Sequence, residues 1–72
     1  MKGNYFYKRL GVRIIIERKR KKLSQEELSN ITEIDRTYLA RIEEGKANPT
    51  IKILNKIANK LKIKICELLK GV

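Results

Sequence analysis

Histidine and tryptophan are absent from this 72-residue sequence, which holds one cysteine, Cys66, one proline, Pro49, and four glycines. Each scarcity removes a class of chemistry. Without histidine or a second cysteine there is no zinc site of the usual Cys/His type and no intrachain disulfide. The same absences, with no Gly-rich phosphate loop, leave no constellation for an enzyme to work with, so neither cofactor, metal nor small-molecule ligand is expected. A lone thiol fits a reducing compartment, where Cys66 reads as a small buried or interfacial hydrophobe. No apolar run approaches the roughly 18 residues that cross a bilayer. Met1 to Tyr7 lacks the apolar core and small-residue cleavage site of a leader. The expectation is a cytoplasmic protein with no membrane association. Aromatic residues are also few: Tyr5, Phe6, Tyr7 and Tyr38 are all there are.

Positive charge is abundant. Eighteen Lys and Arg stand against eight Asp and Glu, a formal net charge of +10, which bears on partners rather than on fold and points to a polyanion. A chain this short forms one domain, residues 1–72, with little room for a cleft, so a binding module is expected rather than an enzyme.

The apolar residues are spaced for helices. At about 100° per residue, Tyr7, Leu10, Ile14, Arg18 and the stem of Lys21 share one stripe, predicting a helix over about 5–21. The β-branched run Ile14-Ile15-Ile16 would suit a strand, but a lone strand has no partner here and nothing closes it. Ile16 points off the stripe, either merely exposed or available to a subunit contact. Ser24-Gln25-Glu26-Glu27 has the spacing of a capping box and opens a second helix over 25–31, with Leu28 and Ile31 as its apolar face. Asp35 caps a third over 36–44, which Gly45 can end in the left-handed conformation. Thr50 caps a fourth over 51–61, whose Ile51, Leu54, Ile57, Ala58 and Leu61 share a face. A final short helix over 65–70 stops at Gly71. The second and third helices meet across a tight turn.

On the third helix, Arg36, Thr37, Ala40 and Arg41 lie on one arc while Tyr38, Leu39 and Ile42 lie opposite. An Arg at the start of a groove-inserted helix can donate two hydrogen bonds to guanine, worth roughly 1–3 kcal/mol of discrimination, and a Thr or Ala methyl can meet the thymine methyl. The plain alternative, a solvated helix face, is disfavoured by the position just after an N-cap and a tight turn.

Four segments in order, Ser24-Gln25-Glu26-Glu27-Leu28, Asp35-Arg36-Thr37-Tyr38-Leu39, Arg41-Ile42-Glu43-Glu44-Gly45-Lys46 and Asn48-Pro49-Thr50, resemble the Xre/Cro/repressor helix-turn-helix family. The likeness runs from about Leu10 to Leu69. It implies an all-α, compact five-helix, lambda-repressor-like DNA-binding domain whose second and third helices read a double-stranded operator. By the same resemblance Gln25 matches a glutamine that meets the DNA backbone. Arg36, Thr37 and Arg41 match base-reading positions, Tyr38, Lys46 and Asn48 match positions near phosphates, and Arg18 and Glu43 match an internal ion pair. Asp35-Arg36-Thr37-Tyr38 and the small size are similar to controller proteins of restriction-modification systems, although antitoxin regulators and phage repressors share nearly every quoted residue.

The sequence departs from the family pattern in places. Ser29 stands for the usual Ala of the second helix, and Glu33 for the turn Gly, which requires either a positive φ or a relaxed turn. Glu44 would repel phosphate if it faced the duplex. Lys64 stands where a capping Ser is common.

Arg18-Lys19-Arg20-Lys21-Lys22 reads first as a solvated helix end, and Lys22 is the member best placed to add a phosphate contact. Helix-turn-helix dimers set two reading helices about one turn of DNA apart, roughly 34 Å, so a homodimer on a palindromic site is expected. Ile63, Ile65, Leu68, Leu69 and Val72 remain once the core is filled, and part of that set is the candidate twofold contact. RNA polymerase is a further partner if the protein activates transcription. Two rival classes stay open. An RNA-binding module would share the charge, though stacking aromatics are few. A protein-interaction adaptor would keep the fold and lose the operator.

Overall fold

The β-branched run Ile14-Ile15-Ile16 is helical in the computed structural model of the chain, inside a first helix, α1, spanning Lys2–Arg20. The structure describes the backbone of residues 2–72 and the side chains of residues 5–72; Met1, where the leader reading began, lies outside the described residues. Four more helices follow: α2 at Gln25–Thr32, α3 at Arg36–Glu43, α4 at Ile51–Leu61 and α5 at Ile65–Leu68, with no strand among the described residues.

Local chemistry sets where the helices begin. The Ser24 hydroxyl accepts from the Glu27 N–H at 3.0 Å while the Glu27 carboxylate accepts from the Ser24 N–H at 2.7 Å, closing the capping box of α2. The Asp35 carboxylate accepts from the Tyr38 N–H, and the Thr50 hydroxyl from the Ile53 N–H, capping α3 and α4. Lys64 offers α5 no acceptor; there only the Glu67 carboxylate reaches back to the Lys64 N–H, at 2.9 Å.

The ends are set by a repeated left-handed cap. Leu23 N–H donates to Arg18 O, Ile34 N–H to Ser29 O, Lys46 N–H to Arg41 O and Ile63 N–H to Ala58 O, the six-to-one bond of the Schellman motif at the ends of α1 through α4. Gly45 (φ 77°) supplies the left-handed residue after α3, but Lys22, Glu33 and Lys62 supply it elsewhere with φ of 58°, 58° and 60°. The turn between α2 and α3 therefore keeps its left-handed residue without glycine.

The core is formed by Leu10 and Ile14 of α1, Leu28 of α2, Ile34 of the turn, Leu39 and Ile42 of α3, Leu54, Ile57, Ala58 and Leu61 of α4, and Leu68 of α5. Four expectations need correction. Ile51, set on the shared apolar face of α4, is 60% exposed, because as the first residue of that helix it lies beyond the core. Ile31 does not form the inner face of α2: it is 41% exposed, and Leu28, Ser29 and Thr32 are buried instead. The two hydroxyls can be buried because Ser29 Oγ donates to Ile34 O and Thr32 Oγ1 to Leu28 O, which satisfies the groups that burial strips of water. The Lys21 side chain is exposed rather than laid along the stripe of α1, because that helix has ended before it. Cys66 is exposed on the single chain, which removes the buried reading and leaves the interfacial one.

Gly11 explains how closely α1 approaches α3. A Cβ there would stand 2.7 Å from Ile42 O and nearer still to Glu43 O, so the backbones touch where any side chain would part them.

Candidate nucleic-acid interface

Burial of Leu39 and Ile42, at 0% and 1% exposure, fixes the rotation of α3 about its axis. Residues on the opposite arc must then face solvent: Arg36, Thr37 and Arg41 are exposed and Ala40 is half-buried between them. Tyr38 is half-buried and packs against the core. Ile34, 5% exposed, pins the turn beneath α2 and α3, so the outward face is carried on a braced segment.

The guanidiniums on this face are lightly held. Arg36 Nη1 lies 4.0 Å from Glu26 Oε1 with both side chains more than half exposed, a pairing worth about 0–1 kcal/mol. Arg41 Nη2 donates to Lys46 O at 3.1 Å, folding that side chain toward the end of its helix. Lys46 Nζ is 3.7 Å from Glu44 Oε1, so the carboxylate suspected of repelling phosphate is partly neutralised by its neighbour. Asn48 is exposed in the following loop, where Pro49 is buried, and Lys22 is exposed beyond the end of α1.

Beneath this surface lies a buried charge network. Arg18 Nε donates to Glu43 Oε2 at 2.8 Å and Arg18 Nη2 to Glu43 Oε1 at 3.0 Å, a two-pronged pair between α1 and α3. Arg18 Nη1 also donates to Leu23 O at 3.0 Å. Glu43 Oε1 accepts a further bond from Gln25 Nε2 at 3.0 Å. The amide of Gln25, half-buried at the start of α2, is thus fastened through Glu43 to both α1 and α3. That bond is not visible in the sequence, since 18 residues separate donor from acceptor.

A second buried carboxylate was also missed. Glu17, 5% exposed, accepts from Arg13 and Arg20, each at 3.2 Å. Its position three residues after Ile14, with arginines four before and three after, was the available signal. Of the proposed twofold set, Ile63, Ile65, Leu69 and Val72 are half-buried, packed against the core with part of each surface free. Leu68 is 0% exposed and must be removed from that set: it belongs to the core of the single chain. No group of three or more potential metal ligands occurs among the described residues, and no helix there is long and apolar enough to cross a membrane.

Known proteins match along nearly the whole chain. The helix-turn-helix (HTH_3) family model matches residues 14–68. The ImmF control region 10 kDa protein of Bacillus phage phi105 is 43% identical over 51 residues, covering 71% of this chain. The chain spans 57% of that relative's length and 39% of the length of an immunity repressor of the same phage. Among solved structures, the restriction-modification controller protein C.AhdI from Aeromonas hydrophila superposes with a TM-score of 0.84 at 34% identity, covering 86% of this chain and 94% of that one. The controller protein C.Esp1396I, solved as a tetramer in complex with its natural 35-base-pair operator, superposes with a TM-score of 0.77 at 31% identity, covering 92% and 97%.

Proposed function

The chain belongs to the helix-turn-helix family, and from that premise we propose that it is a sequence-specific transcriptional regulator, not an enzyme, which binds a palindromic double-stranded operator as a homodimer in the cytoplasm. The observation that carries this reading is the outward face of α3: Arg36, Thr37 and Arg41 project together from a helix whose rotation is fixed by Leu39 and Ile42. In this reading Arg36 and Arg41 donate to base edges in the major groove, and Thr37 and Ala40 bring methyl groups to thymine. Gln25, Tyr38, Lys46, Asn48 and Lys22 meet the sugar-phosphate backbone and set the register. The half-buried residues Ile63, Ile65, Leu69 and Val72 form the twofold contact.

The likeness to C.AhdI and C.Esp1396I favours the controller role in a restriction-modification system, with more than one dimer on a paired operator. A phage-type repressor is the second reading, favoured by the phi105 relatives.

Selection of bound sequences from a random duplex pool, at stated salt, is the direct test. The expected result is an enriched pseudo-palindrome with half-sites a helical turn apart. Arg36→Ala should flatten the preference at one base pair per half-site, weakening specific binding by roughly 1–3 kcal/mol while nonspecific binding stays. No enriched motif, or equal competition by single-stranded RNA, would remove the reading.

A further inference from the structure

We propose that the solvent face of α1 is a docking seam for an acidic helix of another protein. The inward face of α1, through Leu10, Gly11, Ile14, Glu17 and Arg18, is used up by the core and by α3. At 100° per residue Tyr5, Val12 and Ile16 fall within about 40° of one another on the opposite side. They are 64%, 51% and 37% exposed, and make up half of the six large apolar side chains that the described residues leave open to solvent. Scattered exposed apolar residues need no explanation, but three in register over three helical turns form a line.

Cations border that line on both sides. Lys8 and Lys19 lie along one margin of the stripe and Arg9 and Arg20 along the other, all exposed. Beside it a concavity of about 550 Å³ is lined on α1 by Tyr5, Lys8, Arg9, Val12 and Arg13, and otherwise by Glu43, Glu44 and Gly71, so cations outnumber carboxylates there three to two. A narrow apolar seam between rows of one charge is the layout of a helix-pairing surface, in which the seam supplies affinity and the flanks choose the partner.

The sign of the flanks selects the occupant. A second copy docked on this seam would set Lys8, Arg9, Lys19 and Arg20 against their own kind. Duplex DNA would satisfy the cations but leave Tyr5, Val12 and Ile16 unburied. A lipid surface asks for a wide apolar face, and here the wide face of α1 is already inside the fold. A helix carrying apolar residues at i, i+7 and i+11 between Asp and Glu rows meets all three demands. The inference does not depend on operator reading.

The test uses the full chain and a synthetic 18-residue helical peptide with leucines at that spacing and glutamates on either side, followed by amide chemical shifts and peptide anisotropy. Shifts should concentrate on residues 5–20, and a peptide with lysine flanks should not bind. Val12→Glu, at an exposed helical site that leaves the thermal transition in place, should weaken binding at least about tenfold, because a burial is lost and like charges now meet. The double variant Lys8→Glu, Arg9→Glu should lose the acidic peptide and gain the lysine-flanked one. Shifts centred on α3, equal binding of both peptides, or binding confined to anionic vesicles would each overturn the proposal. So would self-association of the free chain that Val12→Glu abolishes.

Discussion

Glu43 is asked to do two things with one carboxylate. It neutralises Arg18 inside the fold and it holds the Gln25 amide. Replacing a single partner of a buried ion pair strands the other charge, so Glu43→Gln should cost about 3–5 kcal/mol in chemical denaturation, nearer the lower figure because the amide oxygen still accepts. An apolar pair of similar volume is often neutral, so Arg18→Met with Glu43→Leu should recover most of that stability. It should not recover operator affinity. Gln25 loses its charged acceptor, a bond worth about 1.5–3 kcal/mol, and its freed side chain should weaken binding about tenfold. Recovery of both properties together would show that Gln25 needs no fastening. Neighbouring residues on α3 are less constrained: Arg36 and Arg41 make only exposed contacts, which leaves their side chains available to a ligand.

Among the elements, α1 and α3 are set by a missing side chain and α2 by a strained turn. Gly11→Ala improves helix propensity by up to about 1 kcal/mol, yet it drives a methyl into the carbonyls of Ile42 and Glu43. Backbone cannot swing aside as a flexible side chain does, so overpacking should prevail and lower stability by about 1–3 kcal/mol. A raised melting temperature for Gly11→Ala would mean that α1 and α3 separate at little cost. Glu33→Gly should act in the opposite direction, relieving a left-handed residue at the end of α2 by up to about 1 kcal/mol. Its thermal transition is the readout, and a lower midpoint would assign Glu33 a compensating contact.

The helix starts were legible in the sequence because capping is local: Ser24, Asp35 and Thr50 each satisfy an amide three residues away. Likewise the arc of Arg36, Thr37 and Arg41 follows from the apolar spacing of Leu39 and Ile42 alone. What could not be read depends on distant partners. Thr32 is buried and Ile31 is not, against their hydrophobicity: Ser29 Oγ finds the Ile34 carbonyl of the turn, and Thr32 Oγ1 the Leu28 and Ser29 carbonyls of its own helix, once α4 has packed over that face. Leu68 and Leu69 are adjacent and chemically identical, and only the packing of α5 decides which is interior.

At the scale of the whole molecule that last distinction would separate folding from the proposed assembly. Leu68→Ala should remove about 2–5 kcal/mol from unfolding, since a fully buried leucine leaves a cavity. Leu69→Glu should leave a folded chain that sediments as a monomer and binds the operator poorly; a dimer surviving in Leu69→Glu would move the twofold contact elsewhere. Charge offers a second global probe. Lys46→Gln should lower the log-log salt slope of operator binding by about 0.9 per subunit if Lys46 neutralises a phosphate, and an unchanged slope would remove it from the backbone set.

The surplus of +10 sits on a body with a radius of gyration of only 10.9 Å, and the partly free residues Ile63, Ile65, Leu69 and Val72 offer a modest patch to hold two such bodies together. Mutual repulsion opposes pairing in solution, whereas a polyanion cancels it, so in the proposed reading joining a twin and settling on the duplex should reinforce one another. Under the proposed dimeric reading, occupancy should climb more steeply than dose, and a promoter so controlled should answer to accumulation of the protein as a threshold rather than a ramp.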